Sequence, residues 1–314
     1  MRLAPIALFV YNRVFFAKRT IEALQKNLLA GESDLFVFSD GPKSNYDEKR
    51  VSEMREFLRK VDGFKKIEII EKDTNLGLAE SIISGVTEIV NMRDRVIVLE
   101  DDLDLSPYFL KFMNEALELY SNEDRVSSVC GHFFGVTGKI PETFFLKMFS
   151  SYGWATWKRA WGFFEKDGKK LLRKLEELKC GKAFDMNGMY PFMRTLKKQS
   201  TGLSDAWAAR WYASSYLRNS LNLFPGRSLV DHIGIAPDSS HNVTPYAKLY
   251  SVNMSDRPIV VEKVKPEEDP CVVKIVEEHM KRTMPNVTTR AFYKLQRFFY
   301  SARKSAKNII SKWL

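Results

Sequence analysis

A chain of 314 residues with 45% hydrophobic content carries enough apolar side chain for one large domain, or for a domain with an appendage. Its net charge of +10 suggests a nucleic-acid binder until the charges are located: residues 288–314 hold seven Lys or Arg and no acid, leaving an excess of only +3 elsewhere. Cys130, Cys180 and Cys271 are odd in number, widely spaced and without a CxxC pair, which argues against a disulfide framework and a structural zinc site and favours a reducing compartment.

The apolar stretch near the start is too short for a signal peptide or for a span of about 20 residues, and no other window is apolar enough to cross a bilayer. A cytoplasmic location is expected, peripheral to the inner face of the cell membrane if the basic tail reaches it. Ile6 to Val10 reads as a first strand, followed by Tyr11, Asn12 and Arg13. Helical spacing then runs through Ala17, Ile21, Leu24 and Leu28. Leu35 to Phe38 is the next strand, ended by the turn signal Ser39-Asp40-Gly41-Pro42. Val51, Met54, Leu58 and Val61 mark a second helix, Ile67 to Ile70 a third strand, and Asn75-Leu76-Gly77 a turn into a third helix through Ile82, Val86 and Val90. The fourth strand is Val96 to Leu99, and it runs straight into Glu100, Asp101 and Asp102. Strands alternating with helices imply an α/β fold with a Rossmann-like sheet, whose strand ends are where ligands bind.

Three adjacent carboxylates repel one another unless a cation sits among them. Hard oxygen ligands suit Mg2+ or Mn2+, either of which bridges to nucleotide phosphates. The alternative is an acidic turn before a helix that starts with Ser106 as N-cap and Pro107 at the first helical position. No GxGxxG follows the first strand and no GxxxxGK[ST] occurs, so a dinucleotide oxidoreductase and a P-loop NTPase lose support.

A first strand ending in YNR, a second in SDG, an NLG before a helix and a fourth strand ending in EDD together resemble the GT-A nucleotide-sugar glycosyltransferases. Within them the chain looks closest to the inverting bacterial polysaccharide enzymes and to N-acetylglucosaminyltransferase I. The resemblance covers about residues 4–245, and SYGWATWKRAW from Ser151 to Trp161 is similar to a segment of lipopolysaccharide-type transferases. It implies a GT-A type mixed sheet flanked by helices and a nucleoside diphosphate sugar, with UDP as the default nucleotide. It also implies that Asp40 receives the nucleobase with Asn12 and Arg13 beside it, and Asn75, at the same sheet edge, is a further candidate for donor binding. Asp102 would hold Mn2+ or Mg2+, while Glu100 and Asp101 hold the ribose or a metal-bound water. Gly153 and Trp154 would reach the donor sugar. A late histidine in such enzymes can reach the metal, which puts His241 in that role, with His232 as a competitor.

Residues 1–257 are expected to form the catalytic domain, with 1–125 as the nucleotide half and 126–257 as the acceptor half. The i, i+4 pairs Trp157/Trp161 and Trp207/Trp211 fit helices with an aromatic edge, serving either as core or as sugar platforms. Lys169 to Lys182 reads as a solvated amphipathic helix. In an inverting transfer a carboxylate must take the acceptor proton; the resemblance implies that an acid closely followed by Trp at a helix start supplies it, and Asp205, two residues before Trp207, is the best match. Ser204 or Asp205 could instead cap the helix that follows. A retaining enzyme would not need that base. Leu229 to Ile235 reads as a late strand.

Residues 258–287 read as a connector with a short helix near Val272 to Met280. Beyond it Phe292, Leu295, Phe299, Ala302, Ala306, Ile309 and Trp313 share one face and the basic residues fall mainly on the other, a C-terminal basic amphipathic helix over 288–314. It suits an anionic membrane surface, which makes a lipid-linked acceptor expected, or else a homodimer seam or docking on the body. A sugar nucleotidyltransferase would want a glycine-rich basic loop after the first strand, which YNRVFFAKR lacks. Against a non-enzymatic membrane or RNA-binding adaptor, the net basic excess outside the tail is only +3 and no RNA-binding signature appears, so no nucleic-acid partner is expected.

Overall fold

The computed structural model describes residues 2–235, 247–250, 252–285 and 288. The loop with His241, and the predicted helix 288–314 beyond Thr288, lie outside the described residues. No helix among those described is long and apolar enough to cross a membrane.

The first half follows the alternation in the sequence: β1 (Ile6–Val10), α1 (Val14–Gln25), β2 (Asp34–Ser39), α2 (Asn45–Leu58), β3 (Lys66–Glu71), α3 (Leu78–Arg93) and β4 (Arg95–Glu100). The four strands are parallel. All of β1 and the centre of β4 are buried, as expected of apolar strands covered on both faces. At the edge, β3 alternates in exposure and carries Lys66, Glu68 and Glu71, which discourages pairing with another chain.

The chain continues through β5 (Leu103–Leu105), α4 (Phe109–Leu119), β6 (Val126–Cys130), β7 (Thr143–Leu146), β8 (Trp154–Trp157), α5 (Lys158–Trp161), α6 (Gly168–Glu177), α7 (Gly181–Phe184), α8 (Phe192–Ser200) and α9 (Trp207–Leu217). Then come β9 (Leu221–Pro225), β10 (Val230–His232), α10 (Ala247–Tyr250) and α11 (Pro270–Thr283). The main sheet has the order β3-β2-β1-β4-β8-β6-β9-β7, and β5 pairs with β10 in a small antiparallel ribbon. The two halves expected at 1–125 and 126–257 therefore share one mixed α/β sheet, joined where β4 meets β8 in antiparallel register.

Several local expectations change. Helix α4 begins at Phe109 rather than at Pro107, and Ser106 turns its hydroxyl to the Ser255 carbonyl at 2.7 Å, tying this corner to the C-terminal segment. Trp157 lies on a strand, not on a helix with Trp161, and donates from its indole to the Leu117 carbonyl at 3.0 Å. Trp207 and Trp211 do share α9. Segment 258–287 is no free connector: Val272, Val276 and Met280 of α11 are buried, and Tyr120 Oη accepts from Val264 N at 3.0 Å. Asp269 caps α11 and Pro270 occupies its first turn, a strong local start for the helix.

Candidate active site at the sheet switch point

Strands β1, β2 and β3 step outward in one direction, and the chain then returns to place β4 on the other side of β1. In an open α/β sheet that reversal leaves a crevice beyond the strand ends. Asn12 and Arg13 follow β1 there, and Asp101 and Asp102 follow β4.

Arg13 pairs with Asp101 and, through Nη1, with Asp102 Oδ2 at 2.8 Å. The acidic turn is braced from α1, where Thr20 Oγ1 donates to the Asp101 carbonyl at 2.9 Å and accepts from Leu103 N at 3.0 Å. Burial outweighs the neighbouring Arg13 and pushes the Asp101 carboxyl up to about 6. Glu100 is pushed up to about 8, by burial first and then by repulsion from Asp102 and Asp101. One guanidinium thus leaves the cluster under-neutralised. Asp101, with its carboxylate on Arg13 and only 3% exposure, is placed as an anchor rather than as a group facing a ribose.

Asp102 is 5% exposed, and among the described residues its Oδ1 has no hydrogen-bond partner. The antiparallel register of β10 sets His232 opposite Leu103, which brings His232 Nε2 to 3.7 Å from Asp102 Oδ1. Burial lowers the pKa of His232 against the pull of Asp102, favouring the neutral imidazole that binds metals. Among the described residues its Nδ1 has no hydrogen-bond partner to another group. Gly234 makes this approach possible, since a Cβ there would stand 3.0 Å from His232 Cε1 and 2.5 Å from Asp102 Oδ2. The sequence points first to His241, with His232 as a competitor. The signal for His232 was its place in a strand pattern, but its strand partner was not readable.

Asp40, expected to receive a nucleobase, forms a brace instead. Asp40 Oδ1 accepts from Gly41 N and Leu76 N at 2.9 and 2.8 Å, and Oδ2 accepts from Asn75 Nδ2 and Gly77 N at 2.9 and 3.0 Å. A carboxylate has about four acceptor positions, so none remains for a base. Its role is to lock the NLG turn to the end of β2. Asn12 is likewise engaged, donating to Asp47 Oδ1 at 3.0 Å. Asp40→Ala would strand several amides, and we expect it to cost about 1–3 kcal/mol. Faster hydrogen exchange at Leu76 and Gly77 than in the parent would accompany the loss, and unchanged protection there would refute the brace.

The NLG turn carries a second consequence. Asp205 Oδ2 stands 3.9 Å from where a Cβ on Gly77 would be, so Asp205 borders the same strand-end region. Its side chain is 62% exposed and accepts from Arg210 Nη2 at 3.2 Å. No side chain caps α9, whose N-cap is Ala206, so the capping reading of Ser204 or Asp205 is not what the structure has.

Gly153 and Trp154 are placed by packing. Gly153 has φ +61°, and a Cβ on it would press on Val230 and Phe109 at 2.9 and 3.1 Å. Trp154 is fully buried among Phe149, Trp161, Trp207 and Trp211, and offers no face to a sugar. Tyr152 sets a ring beside the site, 4.5 Å from His232 between centroids.

Behind Tyr152 lies His132, 2% exposed, with Nδ1 3.4 Å from Ser150 Oγ. Burial, reinforced by His232, pulls its pKa from 6.5 down to about 3. A histidine held neutral in the fold but free to charge when unfolded stabilises the protein above pH 6.5, and that contribution is lost as pH falls from there toward about 3. We expect His132→Asn to flatten the acid fall in urea stability by up to about 1.4 kcal/mol per pH unit. Equal slopes for parent and variant would refute this.

Among the described residues no group of three or more His, Cys, Asp or Glu is placed to hold a metal ion. They offer a two-donor site, the orphaned Asp102 Oδ1 and the His232 imidazole. Two protein donors fit Mg2+ or Mn2+ when phosphate oxygens and waters complete the shell.

No protein-family model matches the chain, and no curated protein matches it. Among solved structures it is similar to S. aureus TarS 1-349, with a TM-score of 0.41 and 13% identity over 72% of this chain and 59% of that one. It is also similar to the mannosyltransferase PcManGT from Pyrobaculum calidifontis in complex with GDP-Man and Mn2+, with a TM-score of 0.34 and 10% identity over 68% of this chain and 74% of that one. S. aureus TarS in a longer form aligns with a TM-score of 0.38 and 13% identity, over 77% of this chain and 37% of that one. The chain thus spans less than two thirds of the length of either form of TarS.

Proposed function

We propose that the protein is a nucleotide-sugar glycosyltransferase of the GT-A type. More particularly, it is an inverting, metal-dependent enzyme that moves a sugar from a nucleoside diphosphate, UDP by preference, to a glycan acceptor. The observation that carries this reading is the set Arg13, Asp101, Asp102 and His232 at the switch point, with exposed Asp205 beside the neighbouring NLG turn.

A nucleoside diphosphate leaves readily only when its developing charge is neutralised. A bound Mn2+ or Mg2+ would supply a Lewis acid for that charge, held by Asp102 and His232. Arg13 contributes a fixed positive charge beside the same carboxylates. Asp205, oriented by Arg210, accepts the proton of the attacking acceptor hydroxyl. A lipid-linked acceptor in surface polysaccharide or lipopolysaccharide synthesis, with the basic tail 288–314 on the inner leaflet or between two copies, follows from the charge pattern of the sequence.

Calorimetric titration with a panel of nucleoside diphosphates, in Mn2+ and then in EDTA, tests the reading. Metal-dependent binding of one nucleotide is expected. Binding of none would reduce the acidic turn to a structural feature.

A further inference from the structure

The helical hairpin α6–α8 supplies none of the polar site residues named above, although Phe192 and Thr195 of α8 line the cavity that holds His132 and Tyr152. Residues 166–203 hold ten Lys or Arg against four Asp or Glu, an excess of six in a protein whose total is +10. Gly168 packs on Gln199 and Gly181 on Met193, so α6 and α8 run antiparallel. Leu171, Leu175 and Leu196 are buried, and both helices lie against α9. The residues between them point outward: Lys169, Lys174, Arg194, Lys197 and Lys198 are exposed, as is Lys182 in α7.

Three of the ten cations are paired: Lys166 with Glu80, Lys170 with Glu165 and Arg173 with Glu177. The other seven make no ion pair among the described residues. Of the acids, Asp167 caps α6 and Asp185 accepts from Met193 N, which leaves Glu176 as the unengaged one. Leu178 and Leu203 stand at opposite ends of the hairpin, 65% and 78% exposed. Lysines alone would suit any polyanion. Leucines held in water beside them gain nothing from a soluble anion, but they do gain from an apolar phase beneath a charged surface.

We propose that the α6–α8 hairpin is a docking face for an anionic lipid leaflet, separate from the tail at 288–314. The proposal does not depend on the transfer chemistry. If that chemistry holds, the chain from α8 through residues 201–206 to Asp205 sets the docked face beside the site, where a lipid-borne acceptor would arrive.

The test is sedimentation of the full chain with vesicles of about 30% phosphatidylglycerol in phosphatidylcholine, and with phosphatidylcholine alone, at about 0.1 M salt. The parent is expected to bind the anionic vesicles only. Combining Lys169→Glu, Lys174→Glu, Lys197→Glu and Lys198→Glu should weaken binding roughly 100-fold or more with the melting temperature retained. Leu178→Ser with Leu203→Ser should weaken it several-fold, on the order expected for two leucines, without changing its salt dependence. Parent-like binding by the lysine variant would overturn the proposal. So would a parent that ignores vesicles, and one that ignores them yet binds soluble polyphosphate through the same lysines would reassign the face to an anionic chain.

Discussion

Asp102→Asn is expected to abolish metal-dependent binding of nucleoside diphosphates, a loss of roughly 100-fold or more in affinity. Removing a partner that merely orients a metal ligand already costs about 10–100-fold, and a ligand itself costs more. The amide is isosteric, so the packing of a side chain that is 5% exposed is retained. Lost with the charge are the unpartnered Oδ1 facing His232 and the carboxylate half of the pair with Arg13. Calorimetry in Mn2+ and in EDTA, with circular dichroism to confirm folding, reads the outcome. Affinity equal to that of the parent in Mn2+ would remove the metal-centred site.

Asp205→Asn is expected to leave donor affinity as it is and to lower turnover by roughly 100-fold or more, the scale on which a general base acts. Its side chain is 62% exposed with one ion pair, to Arg210, so the substitution should change stability by no more than about 0.5 kcal/mol. A fall in turnover with unchanged donor binding separates proton transfer from positioning of the nucleotide. Turnover equal to the parent's would clear Asp205 of the role and favour a retaining transfer or another base.

Both predictions rest on residues that stood out in the sequence, yet for different reasons. The carboxylates were visible because a buried parallel strand writes itself as an unbroken apolar run, and whatever follows it stands at the ligand-binding edge. Asp205 was visible only through a resemblance, since an acid before a helix usually caps it. The structure removes that alternative with Ala206 at the N-cap. Asp40 was legible as a residue at a strand end but not as a brace. Its four hydrogen bonds come from its neighbour Gly41 and from a turn more than thirty residues away. Trp154 and Trp157 misled because an aromatic-rich stretch reads alike as core, helix edge or sugar platform.

The sequence by itself determined the alternation of strands and helices through β4, the acids at its end and a short helix near Val272 to Met280. Each is written within a few neighbouring residues, by period or charge. Only the tertiary structure decided the strand order that opens the crevice, the pairing of β10 with β5 that carries His232 to Asp102, the tryptophan core, and the return of α11 onto the body. These depend on segments tens to more than a hundred residues apart, whose pairing follows from which apolar faces cover one another in space.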